Sequence, residues 1–385
     1  MNGIKKDNEK EVRQNDKGDI ITLILTGAFI VAIATLIFII PKAERLEKEN
    51  RVAASLPQFS INGLINGSLS DGVADFYSDQ LPFRDGFLDL RSRLELAFFR
   101  GESGGVISAD GGYLIKRPRY GEKETELIEK NLNDFLMLAE EAHIDALTAV
   151  VPSGIDVMKC SLIRHLQSRE EVWDTLPENV LTFDGKLRAQ AENGEYVWYK
   201  TDHHYTTLGA YYVYLKLTEA LGIEAYQLEY FDAVKVSDSF FGTSFSASGL
   251  SNATPDDIYL FRYPGDGEFT VTYGDTVQKG FYDFSKLETK DKYSVFLGGN
   301  HGLTFIKKSV KSRPVLVMIK DSYAHALAPF LALHFDITLV DPRYFHDDAL
   351  SLLAESGAVR LVLFCGIDTL ATTDLKLDRF IADHN

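Results

Sequence analysis

An α/β fold built on a mostly parallel sheet is what this sequence predicts, and three observations predict it. PVLVMIK (314–320), DITLVD (336–341) and VRLVLFCG (359–366) are short continuous apolar runs, the pattern of strands buried on both faces. Helix-patterned segments lie between them: SYAHALAPFLALHF, interrupted by Pro329, and residues 347–356. A further pair, the helical ETELIEKNLNDFLMLAEEAHI and the strand ALTAVVP (146–152), stands earlier in the chain. Strands alternating with helices close into right-handed β-α-β units, and so into a parallel sheet flanked by helices.

Taken in order, the elements begin with residues 20–40, IITLILTGAFIVAIATLIFII, which carry no charge. At ~1.5 Å per residue this helix spans roughly 30 Å, the hydrocarbon thickness of a bilayer. Pro41 and the charged KAERLEKEN end it without a small-x-small cleavage site, which favours a retained anchor over a cleaved signal peptide. Lys5, Lys6, Lys10, Arg13 and Lys17 precede the span; Lys42, Arg45, Lys48 and Arg51 follow it, so the positive-inside bias is slight. The expected arrangement is a cytoplasmic tail over 1–19, a transmembrane anchor over 20–40, a stalk or linker over 41–74 and one extracytoplasmic domain over 75–385. The stalk reads as a charged helix over 42–58, ending at Pro57.

Leu88, Leu90, Leu94, Leu96 and Phe98 give the next segment a helical second half. Gly104-Gly105 and Gly111-Gly112 then punctuate a hairpin around VIS and YLI. VLTF (180–183) and YVWY (196–199) read as strands, and TTLGAYYVYLKLTEAL (206–221) as a helix. Residues 225–313, rich in Tyr, Phe, Gly, Ser and Asp, read as a β-rich insertion with strands at FTVTYG and YSVFL.

Composition excludes one class of function. Of 385 residues, 45% are hydrophobic, ample for a buried core, while a net charge of −16 and no basic stripe argue against a nucleic-acid grip. Cys160 and Cys365 sit beside apolar runs, as buried free thiols or a single bridge.

Two polar clusters fall where a doubly wound sheet binds its ligands, beyond the carboxyl ends of strands. Asp202-His203-His204 lies between YVWY and a helix beginning near Thr206, and Asp321-Ser322 follows PVLVMIK. A serine at a strand–helix junction exposes its Oγ, and the helix N–H groups face any oxyanion formed there. Its proton needs an imidazole, and the imidazole an acid to fix its tautomer. Ser322, His204 and Asp202 can fill these roles; equally, Ser322 can be an N-cap and the DHH string a polar turn.

TDHHYTTLGAYYVY resembles the signature of the DHHW family, with Tyr205 in place of Trp. QLPFRD (80–85), VISADGGYLIK (106–116), YSVFLGGNHG (293–302) and KDSYAHALAPFL (320–331) extend the resemblance over roughly 75–370. That family is in turn similar to the alginate O-acetylation proteins, whose SGNH-hydrolase-like (flavodoxin-like) domain carries an Asp-x-His motif ahead of its serine. The resemblance implies Asp202 as acid, His204 as base and Ser322 as nucleophile, with Lys320 standing where a Gly is usual. Tyr205 keeps an aromatic wall, and Tyr323 joins it beside the serine. His203 is expected to point away from His204, toward solvent or a cap.

Asn300 in GGNHG is either the SGNH asparagine that donates to the oxyanion or part of a hairpin turn. Arg84 and Arg343 either contact a carbohydrate or carboxylate, or pair with a nearby Asp. The implied chemistry is acetyl transfer to a cell-surface polysaccharide through an acetyl-serine, or its hydrolytic reverse, with no cofactor. A membrane-bound O-acyltransferase is the implied acetyl donor. Two rivals are a carbohydrate-binding or scaffold protein on the same frame and a manganese-dependent DHH phosphoesterase. The second needs an Asp-x-Asp string that does not precede residue 202, and His143, His165, His301, His325 and His346 stand singly, without ligand spacing.

Overall fold

The computed structural model describes residues 2–382 apart from 50, 100, 119, 161–171, 174 and 311; His165 lies outside the described residues. The chain divides into two compact units, 1–91 and 92–385.

In the first unit a continuous helix runs over Asn2–Ile39, and its Gly18–Ile39 portion is long and apolar enough to cross a membrane. Leu23, Ile24, Leu25 and Phe29 are all exposed on it. The helix expected over 42–58 is not formed. Arg45–Leu46 pairs antiparallel with Arg51–Val52 around a 3-10 turn, Glu47–Glu49. The reason is tertiary: Arg51 forks onto both oxygens of buried Asp79 at 2.6 Å, and the Ala54 N–H donates to the same carboxylate at 2.8 Å. Bidentate charged bonds outweigh weak local helix propensity. Arg84 is likewise paired, with Glu49 at 2.6 Å, rather than free for a ligand.

The second unit holds an eight-stranded sheet. Its strands are β1 (Ala146–Val151), β2 (Leu181–Thr182), β3 (Phe269–Tyr273), β4 (Thr276–Lys279), β5 (Leu303–Lys308), β6 (Val315–Lys320), β7 (Asp336–Val340) and β8 (Ala358–Gly366). The order across the sheet is β4-β3-β5-β7-β6-β8-β1-β2. The five strands from β7 to β2 are parallel, and β5, β3 and β4 continue the sheet antiparallel. The region read as a β-rich insertion into the α/β frame supplies three strands of the main sheet, alongside its own ribbon of Asp232–Phe240 with Asp256–Arg262. YSVFL is not a strand: Lys292–Val295 is a 3-10 turn.

Counted in chain order, the parallel strands run 2-1-5-3-4. Counted from β6, they run 2-1-3-4-5, the flavodoxin-like doubly wound order. The chain is thus a circular reordering of that sheet, with its topological switch point between β6 and β8.

Alternation along the strands divides the core. Leu316, Met318 and Phe364 face helices α3 (Thr207–Ala220) and α4 (Ala324–Leu331), which follow α2 (Asp184–Glu192). Val317, Ile319 and Leu363 face the earlier helix α1 (Glu122–Glu141) together with α5 (Ala349–Ser356) and α6 (Ile367–Thr372). A sheet covered on both faces explains the continuous apolar runs. The expected hairpin forms between Val106–Ser108 and Leu114–Lys116. Cys160 and Cys365 are both free thiols, the latter buried, so no bridge joins them.

Candidate active site

Ser322 occupies the turn between β6 and α4, at the switch point. Asp321 fixes that turn. Its Oδ1 accepts the Tyr323 N–H at 3.0 Å, and its Oδ2 accepts the Gly366 N–H at 2.8 Å and the Thr369 hydroxyl at 2.7 Å. The N-cap of α4 is Tyr323, with no side-chain cap, so Ser322 Oγ does not serve the helix. Among the described residues no group accepts the Ser322 N–H either.

The DHH string is carried differently from the sequence expectation. YVWY contributes no strand to the sheet; it forms one side of a tight buried loop, joined by an isolated bridge between Trp198 and Tyr205. The Tyr199 N–H donates to the His204 carbonyl at 3.2 Å and the Thr206 N–H to that of Val197 at 3.0 Å. Val197, Trp198, Tyr199 and Tyr205 fill the core, so burial rather than a ladder holds this segment extended. Asp256 clamps its far end, accepting the Lys200 and Thr201 N–H groups at 2.7 and 2.8 Å. Thr206 then caps α3, its hydroxyl accepting the Gly209 N–H.

The loop brings Asp202 and His204 to Ser322. His204 Nδ1 lies 2.5 Å from Asp202 Oδ1, and His204 Nε2 lies 2.7 Å from Ser322 Oγ. Asp202 Oδ2 accepts the Thr243 N–H at 2.8 Å and the Thr243 hydroxyl at 3.1 Å, so both its oxygens are engaged. Gly242 is required beside it, because a Cβ there would overlap the Asp202 side chain. Burial opposes ionisation of Asp202, but the facing His203 and His204 rings and their hydrogen bonds hold the carboxyl well below the usual range. Burial and the neighbouring His203 lower His204, against the pull of Asp202, which leaves a neutral imidazole near pH 7. An imidazole in that state, oriented by a carboxylate and bonded to a serine hydroxyl, can accept the serine proton.

The surrounding aromatics hold this geometry. Tyr293 stacks on His204 with ring centroids 3.9 Å apart and planes 8° apart. The Tyr323 hydroxyl donates to the His203 carbonyl at 2.6 Å, and the Tyr205 hydroxyl to the Tyr323 carbonyl. His203 does not point away: its ring centroid is 3.8 Å from that of His204, and its Nδ1 is 2.6 Å from the Thr243 hydroxyl. Consecutive residues here pack together because the loop is tightly curled rather than extended. Thr243, Gly242, Tyr293 and Thr369 went unread in the sequence, since each acts through a contact distant in the chain and belongs to no local pattern.

Asp202, His203 and His204 bring potential ligand atoms within 4.8 Å of one another. Both His204 nitrogens and both Asp202 oxygens already have protein partners. A metal here would have to displace them, which is a poor fit to an open ligand set.

On the other side of Ser322 lies a second ionic cluster. Lys320 Nζ is 2.9 Å from His325 Nε2 and 3.1 Å from Asp341 Oδ2; Arg343 binds both oxygens of Asp341 at 2.8 and 2.7 Å. Arg343 therefore takes the paired alternative rather than presenting a free charge to substrate. Asn300 is exposed and lines a cavity to which none of Asp202, His204 and Ser322 contributes.

The family profile described as DHHW protein matches residues 184–340, which include the DHH string and Ser322. A DHHW family protein from Eubacterium siraeum has the same fold at 22% identity, covering 72% of this chain and 96% of that one, with a TM-score of 0.57. Bacillus cereus PatB1, in a structure with a sulfonyl adduct, is 17% identical, covers 71% of this chain and 99% of its own, and has a TM-score of 0.58. No curated protein matches the sequence. Over residues 184–340 the chain is thus similar to the DHHW family, and it shares its α/β fold with these solved structures.

Proposed function

We propose that this protein is a membrane-anchored serine acyltransferase that O-acetylates a cell-surface polysaccharide, its second unit lying outside the cytoplasm. The observation that carries the reading is His204 bridging Asp202 and Ser322 at 2.5 and 2.7 Å. As the Ser322 Oγ attacks the carbonyl of a donor acetyl ester, His204 Nε2 takes its proton and Asp202 stabilises the imidazolium. The unpartnered Ser322 N–H faces the developing oxyanion at the start of α4. Collapse breaks the ester C–O bond, His204 returns the proton to the departing oxygen, and acetyl-serine remains. An acceptor sugar hydroxyl then gives its proton to His204 and attacks the acetyl carbonyl. Breaking the Oγ–acetyl bond while returning that proton to Oγ regenerates Ser322. Water in place of the sugar makes the same site an esterase.

The Gly18–Ile39 helix supports a membrane location, and a membrane-bound O-acyltransferase partner fits as donor because acetyl-CoA is cytosolic. A sulfonyl fluoride is the apt probe, PatB1 having been captured with a sulfonyl adduct. Mass spectrometry of the treated protein is expected to find the label on Ser322, and His204→Ala is expected to prevent it. Labelling at another serine, or none on folded protein, overturns the reading.

A further inference from the structure

We propose that the cavity beside β5 and β7 is a subsite for a neutral sugar unit of the acceptor glycan; this rests on the acetyl-transfer reading above. Its volume of about 570 Å³ falls within the roughly 300–1,000 Å³ of small-molecule sites. The strand registers place it on the same edge as Ser322. Val340 is paired with both Ile319 and Leu303, and Thr272 with Phe305. Residues 320–322, 341–347, 300–302 and 273–274 therefore share the carboxyl edge of the parallel strands. Neighbouring strands lie ~4.8 Å apart, so β7, β5 and β3 stand one, two and three spacings from β6, or about 5–14 Å. An oligosaccharide laid along this edge spans both the serine and the cavity.

The lining suits one kind of occupant. Tyr344 is 52% exposed, with the Arg343 guanidinium 5.5 Å from its ring centroid. Tyr273 stacks on His301 with centroids 3.7 Å apart and planes 9° apart. Such rings accept the apolar C–H face of a sugar, while the exposed Asn300 amide and Asp347 carboxylate match its hydroxyls. The Arg343 charge is held by Asp341 and Asp347 is acidic, so a neutral sugar fits better than a uronate. The walls are also fixed in advance. Gly302 lies against the Tyr344 backbone so closely that a Cβ would come 2.7 Å from its carbonyl oxygen, and the Asp341 N–H donates to the Gly302 carbonyl at 2.9 Å. This gives Asn300 a place in acceptor binding rather than in the oxyanion site.

The test uses the full chain in lipid nanodiscs, with chitotetraose and cellotetraose as probes. Calorimetric titration of Ser322→Ala is expected to show saturable binding of at least one probe, weakened about tenfold by adding Tyr344→Ala and severalfold by Asn300→Ala. In the active protein the same two changes are expected to raise the acceptor KM without altering hydrolysis of an activated acetyl ester or labelling of Ser322. No saturable binding of either tetrasaccharide, or binding indifferent to Tyr344→Ala and Asn300→Ala, overturns the subsite while leaving the acyl-serine reading intact. Failure of Ser322 labelling with the tetrasaccharide still bound at Tyr344 overturns the acyl-serine reading and keeps the subsite.

Discussion

Two ionic clusters flank Ser322, and they differ in one respect that matters. On one side Asp202 and His204 are buried, yet His204 Nε2 is directed at a hydroxyl that is itself only half-buried. On the other, Lys320, His325 and Asp341 are equally buried, and Lys320 and Arg343 converge on the one Asp341 carboxylate. Burial lowers Lys320 despite the pull of Asp341, and burial together with Lys320 pushes His325 far below the usual histidine range. The second cluster lies at the carboxyl ends of the neighbouring strands β6 and β7, the first on the buried loop that meets Ser322, and both have perturbed protonation. A perturbed group is a candidate for chemistry only when one of its atoms faces a reactive partner. The first cluster has such an atom; the second is a closed network beneath the nucleophile turn.

The contrast is open to experiment. The largest expected effect is from Asp202→Asn, which retains the shape but not the charge that orients His204. Turnover of an activated acetyl ester should fall by about 10⁴ with the thermal melt little changed, as loss of the acid does in serine triads. Lys320→Met should do the reverse. Because Arg343 still holds Asp341, the cost should fall below the about 3–5 kcal/mol of an orphaned buried charge, read as a lower denaturant midpoint, while ester turnover by the folded fraction stays within a few-fold. A turnover loss as deep as that of Asp202→Asn would erase the distinction between the clusters.

A third, smaller effect is read in pH. His204 acts as base only when neutral, and its folded pKa is depressed, so lowering pH removes activity only below the ordinary histidine value. The acid limb of kcat/KM is therefore expected below pH ~6.5; a limb above that value contradicts the assignment. The smallest effect is that of Asn300→Ala on ester hydrolysis, expected to be under about twofold. Loss of an oxyanion donor would instead cost roughly 10²–10³.

Much of this was legible in the chain. The apolar runs at β6, β7 and β8 announced strands buried on both faces, and the span before Pro41 announced itself by lacking charge. The helix beginning near Thr206 was readable because its pattern is local. The failures were at segments whose conformation is imposed from far away. Residues 42–58 have a helical composition, but Asp79 draws Arg51 into a ribbon. YSVFL alternates like a strand, but its Tyr293 lies flat on His204 and the backbone turns to put it there.

By itself the sequence determined the kinds of element, their order and the chemical types present at the strand ends, because period and side-chain chemistry are local properties. Only the tertiary structure decided which of those ends meet. His204 and Ser322 are 118 residues apart and touch because a buried loop, held by the Trp198–Tyr205 bridge and by Asp256, delivers His204 to the switch point that the strand order sets at the end of β6. The same order sets Lys320 beside Asp341 and sends Arg343 to that carboxylate rather than to a ligand. Strand order follows from how the two faces of the sheet bury against their helices, a sum over many distant contacts that no short motif records.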